Sequence, residues 1–142
     1  MLRIVATVLV LASGLVACGQ AHHARSRLKD SARDYSMYVR WKKWQPASGY
    51  IEAKQRGAWL AARMRDDARL RVMGVQIVSA RALKDDEAEV QMALSYTRAP
   101  DITVKQRLFL QKWKKINEMW MLTDEKPVEV AAPTGNEAPA WP

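Results

Sequence analysis

Few residues in this chain have side chains that do chemistry by themselves. Its one cysteine, Cys18, follows Leu15-Val16-Ala17 and precedes Gly19. A lone thiol can be a nucleophile, a redox sensor, half of an intermolecular disulfide or a buried filler. The only two histidines, His22 and His23, are adjacent and lie four and five residues further on. Adjacent residues do not converge on one ion without further ligands, and none are nearby, so no metal site is expected. With no histidine after His23, an Asp–His pair is excluded from the rest of the chain. Asp66-Asp67 and Asp85-Asp86 are paired carboxylates, but both sit in charged segments that read as solvated turns. General acid–base work would need one of them buried, to raise its pKa. Ser95 and Tyr96 have no evident base. There is no Gly-rich phosphate loop and no nucleophile elbow. The expectation is no catalytic residue, no metal and no bound cofactor.

The surroundings of Cys18 narrow its role. The chain opens on Met1-Leu2-Arg3 and then runs from Ile4 to Ala17 without a charge. As a helix this apolar run covers about 21 Å, short of a bilayer core of about 30 Å. A short basic start followed by such a run has the layout of a secretory signal. Leu15-Val16-Ala17-Cys18 resembles the lipobox of bacterial lipoproteins. The resemblance implies a signal peptide over residues 1–17 and Cys18 as the first mature residue. Cys18 would carry a diacylglycerol on its sulfur and an acyl chain, such as palmitate, on its new amino terminus. Acyl chains in that number anchor a protein stably. Gly19, where aspartate would imply inner-membrane retention, implies the periplasmic face of the outer membrane in a Gram-negative host.

Lysine and arginine number 23 against 15 acidic residues, a formal net charge of +8. In an envelope protein this charge points away from nucleic acid. It points to a protein partner or an anionic envelope component, beside the membrane contact made through the lipid anchor. Residues 18–30 are polar and read as a lipidated tether. Residues 125–142 are rich in proline and alanine, lack periodicity and read as a disordered tail.

Residues 31–124 carry the periodic signals of one domain. A helix is expected from Ser31, with Ser31-x-x-Asp34 as its capping box, to Gln45, which precedes Pro46. On it Arg33, Ser36, Arg40 and Lys43 form an outer stripe, and Tyr35, Met37, Tyr38, Val39, Trp41 and Trp44 a wide apolar face. Residues 47–69 read as one or two shorter helices, with Gly57 marking a break or a close backbone contact. From Leu70 the period becomes that of strands. Ala88, Val90, Met92, Leu94 and Tyr96 alternate cleanly with polar neighbours. Leu108 and Leu110 face opposite to Phe109 and Trp113, which predicts a bend or a bulge. A turn at Ile116-Asn117-Glu118 would let Trp113 and Trp120 pair across it.

Helices followed by antiparallel strands predict an α+β fold, with N-terminal helices packed on a curved sheet of about four strands. The first helix YSMYVRWKKW, the strand end SYTR and the closing QKWKKINEMWML resemble small bacterial lipoproteins with a nuclear-transport-factor-like, cystatin-like cone domain. Tyr35, Tyr38, Trp41, Trp59, Tyr96, Trp113 and Trp120 either fill such a cone or line a pocket in it. The sheet face, where Lys105, Arg107 and Gln111 are expected, could form a homodimer. The leading reading is an outer-membrane-anchored periplasmic lipoprotein acting as a non-catalytic binding or scaffolding module. The alternatives are a cone-fold enzyme or carrier for a small apolar ligand, and an accessory subunit of an envelope assembly.

Overall fold

The computed structural model describes residues 17–129, with side chains described from Arg27 onward. The expected signal segment up to residue 16, the tail beyond residue 129, and the side chains of Cys18, His22 and His23 lie outside the described residues. Three helices precede four strands: α1 (Ala17–Arg40), α2 (Trp44–Ser48), α3 (Ala53–Asp66), β1 (Leu70–Ala82), β2 (Glu87–Arg98), β3 (Asp101–Ile116) and β4 (Met119–Val128). The strands form one antiparallel sheet in the order β1-β2-β3-β4. The α+β expectation holds.

Helix α1 opens well before Ser31. Leu28, Ala32, Tyr35 and Val39, spaced by four, three and four, are all buried in the core. That spacing is one face of a helix, so residues 28–30 belong to the domain and not to a tether. Asp30 and Ser31 lie inside α1 and cap nothing. The polar neighbours of Leu28 had hidden the stripe. At its other end α1 stops at Arg40, because Lys42 turns to a φ of 54°. Pro46 does not end a helix. It sits in the first turn of α2, where its missing N–H is not needed. The early stop lets Trp44 reach the core, where a continued helix would turn it away. Ser36 is buried beside the Leu28–Val39 face, while Met37 and Trp41 lie on the opposite side and are exposed. Helix α3 runs through Gly57 without a break, and a Cβ there would meet nothing within 4 Å.

In β2 the predicted alternation is observed, with Ala88, Val90, Met92, Leu94 and Tyr96 all buried. Strand β1 alternates imperfectly for a structural reason. Its pairing with β2 slips between Val72 and Gly74 and again between Ile77 and Ser79, leaving Met73 and Val78 as extra residues. Each slip reverses the facing, so Leu70 and Val72, then Val75 and Ile77, then Ala80 all reach the core.

Leu108 and Leu110 do face opposite to Phe109 and Trp113, yet β3 itself carries no slip there against β2. The slip lies in β4. Lys112 pairs with Asp124 but Trp113 pairs with Leu122, so Thr123 is the extra residue. Trp113 and Trp120 do not pair, since Trp120 stands opposite Lys115. The turn between these strands holds Asn117 and Glu118 at φ 49° and 63°. Strand β4 continues to Val128, so the domain extends past residue 124 and Glu125 opens no tail. Two backbone bonds, from Glu52 N–H to the Leu122 carbonyl and from Leu122 N–H to the Tyr50 carbonyl, lay the α2–α3 linker along β4.

Candidate functional site

The aromatic residues predicted to line a pocket separate into a cluster and three outliers. Tyr35 is fully buried at the centre of the cluster. Its ring lies 5.8 Å from that of Trp113, 6.3 Å from Trp59 and 6.4 Å from Tyr50, two of these contacts edge-on and one tilted. Tyr38 joins through Tyr50 at 6.2 Å, and Trp44 meets Trp59 at 6.3 Å. Rings in these orientations interlock favourably. The helices and the sheet thus fill the space between them with aromatic side chains. Tyr96 is buried elsewhere on β2, opposite Val72. Trp120 is buried beside a cleft shared with Asp34, Tyr50 and Met121. Trp41 is on the surface, 66% exposed.

The cluster surrounds a polar network that sequence reasoning missed. The Glu125 carboxylate, only 10% exposed, accepts from Arg63 at 2.8 Å, from the Gln111 amide at 2.8 Å and from the Tyr35 hydroxyl at 3.3 Å. The Gln111 carbonyl oxygen in turn accepts from the Trp113 indole at 3.1 Å. The Arg63 guanidinium lies over the Trp59 ring at 5.2 Å and over Trp44 at 5.9 Å, within cation–π reach of both rings. Burial, followed by the Glu125 charge, pushes the Tyr35 phenol well above its ordinary range, so it stays protonated and donates.

Each member of this network has a local cause. Gln111 is on the concave face because it has the parity of Phe109 and Trp113, a pattern the sequence does display. Lys105 and Arg107 share that parity and register opposite Tyr96 and Leu94. The expectation that Lys105, Arg107 and Gln111 mark the outer sheet face is therefore corrected: Gln106, Leu108, Leu110 and Lys112 do. Glu125 had no such signal. Trp120 and Leu122 point inward, and continued alternation would bring in Asp124. The extra residue Thr123 brings in Glu125 opposite Gln111 instead.

As chemistry, the arrangement is a carboxylate whose oxygens are already engaged by three donors. The clefts beside Trp41, Trp113 and Trp120 are lined by neither Glu125, Tyr35 nor Arg63. Among the described residues no group of three or more His, Cys, Asp or Glu side chains could hold a metal. Asp66 and Asp67 serve neighbouring bonds. Asp66 pairs with Arg98 at 2.7 Å, and Asp67 accepts from the Trp44 indole at 2.6 Å and from Lys42 at 3.2 Å. The Asp67 carboxyl is held below its usual range, first by the indole and then by Lys42. Asp85 and Asp86 are exposed in the β1–β2 turn, as expected. Tyr50, Trp44 and Arg63 were also missed as partners of the cluster.

The architecture has counterparts among solved structures. A ketosteroid isomerase-like protein from Erwinia carotovora atroseptica aligns with a TM-score of 0.62 at 9% identity, over 75% of this chain and 96% of that one. A protein of unknown function from Shewanella oneidensis, described as like nuclear transport factor 2, gives 0.58 at 12% identity, over 72% and 97%. A candidate scytalone dehydratase from Novosphingobium aromaticivorans gives 0.56 at 11% identity, over 84% and 98%. The fold is the nuclear-transport-factor-like cone. No family model matches the sequence, and no curated protein matches it either. At these identities the cone neighbours share architecture, and their activities do not transfer with it. No helix of the described residues is long and apolar enough to cross a membrane.

Proposed function

We propose that this cone domain is a non-catalytic binding or scaffolding module, held by a lipid on Cys18 at the periplasmic face of the outer membrane. The observation that carries the non-catalytic part is the filled interior. Where a cone-fold enzyme needs an open cavity with a free acid or base, this chain has interlocked rings around a carboxylate engaged by Arg63, Gln111 and Tyr35. The anchor rests on the lipobox-like Leu15-Val16-Ala17-Cys18 behind an uncharged run. Partners then meet the outside of the domain: a second copy through the outer sheet face around Leu108 and Leu110, or a subunit of an envelope assembly.

A second reading, a cone-fold enzyme or carrier for a small apolar ligand, draws support from one observation. Glu125 stands inside the cone beside the Tyr35 hydroxyl, and among the structural neighbours one is described as ketosteroid isomerase-like and one as a candidate scytalone dehydratase.

One measurement tests the anchor and a second separates the two readings. Labelling with a palmitate analogue in a Gram-negative host should mark the wild type and not Cys18→Ala; equal labelling sinks the anchor. Small ring compounds titrated against the chain should leave the Trp113 indole resonance unmoved. A saturable shift there replaces the module with the carrier or enzyme.

A further inference from the structure

We infer that a surface cleft at the C-terminal end of α1 binds the anionic head of an amphiphile, with the apolar body lying over Trp41 and Ile102. The cleft, about 520 Å³, lies between the end of α1, the start of β1 and the β2–β3 hairpin, and it is distinct from the aromatic interior. It is a site on the outer surface that the filled cone leaves available, and it does not depend on the lipid at Cys18. That residue lies at the other end of α1, about 33 Å away at the ordinary helical rise.

Four cations line the cleft, Arg40, Lys42, Arg69 and Arg71, against one carboxylate, Asp101. They are not equivalent. Lys42 is fully engaged, by the carbonyls of Asp67 and Leu70 and by the Asp67 carboxylate. Arg40 donates to the Val72 carbonyl and lies over the Trp41 ring at 5.3 Å. Arg69 uses only its Nε, on the Ala99 carbonyl, which leaves both terminal nitrogens. Arg71 is exposed, and among the described residues no hydrogen bond or ion pair engages it. Arg69, in the turn before β1, and Arg71, on β1, flank the buried Leu70, and both line the cleft. Asp101 does not oppose an incoming anion, because Lys105 at 3.0 Å and the Thr103 N–H already neutralise it.

Two guanidinium groups lining one cleft, Arg71 unengaged and Arg69 with its terminal nitrogens open among the described residues, are suited to a phosphate or carboxylate, which they can grip with paired N–H donors. Beside them the cleft offers apolar surface that, among the described residues, is covered only by Arg40 over the Trp41 ring. Trp41 is 66% exposed and Ile102, on the hairpin, 89% exposed. Large apolar side chains rimmed by arginine fit a molecule that is charged at one end and apolar at the other. A free phosphate would use the arginines alone, and a neutral amphiphile the apolar rim alone.

The test follows the Trp41 indole resonance of the purified full-length chain, assigned with Trp41→Phe. Three probes are titrated below their micelle concentrations: dihexanoyl phosphatidylglycerol, dihexanoyl phosphatidylcholine and inorganic phosphate. Phosphatidylglycerol should give a saturable shift at least tenfold tighter than either other probe. Arg69→Gln with Arg71→Gln should weaken it at least tenfold, and Ile102→Ser should weaken it too. Unchanged resonances of the other indoles show that these surface variants remain folded. Equal affinity for phosphatidylcholine overturns the anionic recognition, and equal affinity for phosphate overturns the amphiphile. No saturable shift, or no effect of the double arginine variant, overturns the site.

Discussion

Arg63 of α3 and Glu125 of β4, 62 residues apart, meet at 2.8 Å with the carboxylate nearly enclosed. This ion pair joins the last helix to the last strand and sits over the aromatic centre. Removing one partner strands the other in a low-dielectric setting, which typically costs about 3–5 kcal/mol. Arg63 keeps some solvent contact, 30% of its side chain, so Glu125→Ala should lie near the lower end of that range. Glu125→Gln should cost less, since its carbonyl can still accept from Gln111. Urea titrations of the single variants and of Arg63→Met/Glu125→Gln give the coupling. Additive effects would show that the pair does not act as a unit.

Alkaline pH should unfold the domain through Tyr35. Its phenol is raised well above the ordinary tyrosine range by burial and then by Glu125, so the folded state holds this proton more tightly than the unfolded chain. That stabilisation is complete below the unfolded value of about 10 and is lost as pH rises beyond it. Absorbance at 295 nm should show the Tyr35 phenolate forming together with the loss of near-ultraviolet circular dichroism. Tyr35→Phe should remove this component of the alkaline transition; an unchanged transition assigns it elsewhere.

In acid the sign reverses. The Asp101 carboxyl is pulled down to about 2 by the Thr103 N–H and by Lys105, and Asp67 is lowered by the Trp44 indole and by Lys42. Depressed carboxyls contribute stability above their unfolded pKa, near 4, and lose it as pH falls through the folded values. Stability should therefore be level with respect to these groups above about pH 5 and decline below about pH 4. Asp67→Asn should flatten part of that decline in thermal melts taken from pH 6 to pH 2, and an equally steep decline would count against its role.

Gly57 offers a stabilising change. It lies in the interior of α3 with open space where a Cβ would be. Gly57→Ala should raise stability by about 0.5–1 kcal/mol, through lower backbone entropy in the unfolded chain. A lower melting temperature would reveal a contact that the open space does not suggest.

Glu118 should respond in the same direction for another reason. It and Asn117 both take positive φ in the two-residue turn between β3 and β4, a pattern that favours Asn-Gly. Glu118→Gly relieves the left-handed conformation and forfeits only a surface ion pair with Lys115. A gain of up to about 1 kcal/mol is expected from chemical denaturation.

Legibility in the sequence followed the regularity of each element. The β2 alternation and the order of helices before strands were readable because nothing interrupts their periods. The true start of α1 was not, because Leu28 is a single apolar residue among polar ones. Its end was misplaced because Pro46 looked like a stop signal, while the departure of Lys42 from helical geometry has no residue-type signature. Glu125 was hidden by the irregularity at Thr123, since alternation pointed to Asp124 as the inward acid. Gln111 was the reverse case: its parity was visible, and only its polarity argued for the surface. The aromatics were candidates either for the core or for a pocket, and Trp41 is exposed because it lies on the side of α1 opposite Leu28, Tyr35 and Val39.

Both margins of the sheet are blocked to further strands along part of their length. Along β1, Arg40 and Lys42 occupy the Val72 and Leu70 carbonyls, and the extra residues Met73 and Val78 break the even ladder a new strand would need. Along β4, the Tyr50–Glu52 segment takes both backbone groups of Leu122, and Pro127 offers no N–H. Open edges are where β proteins polymerise, so these blocked stretches work against strand-by-strand growth at high local concentration. Over those stretches, contact with another copy has to be made by side chains.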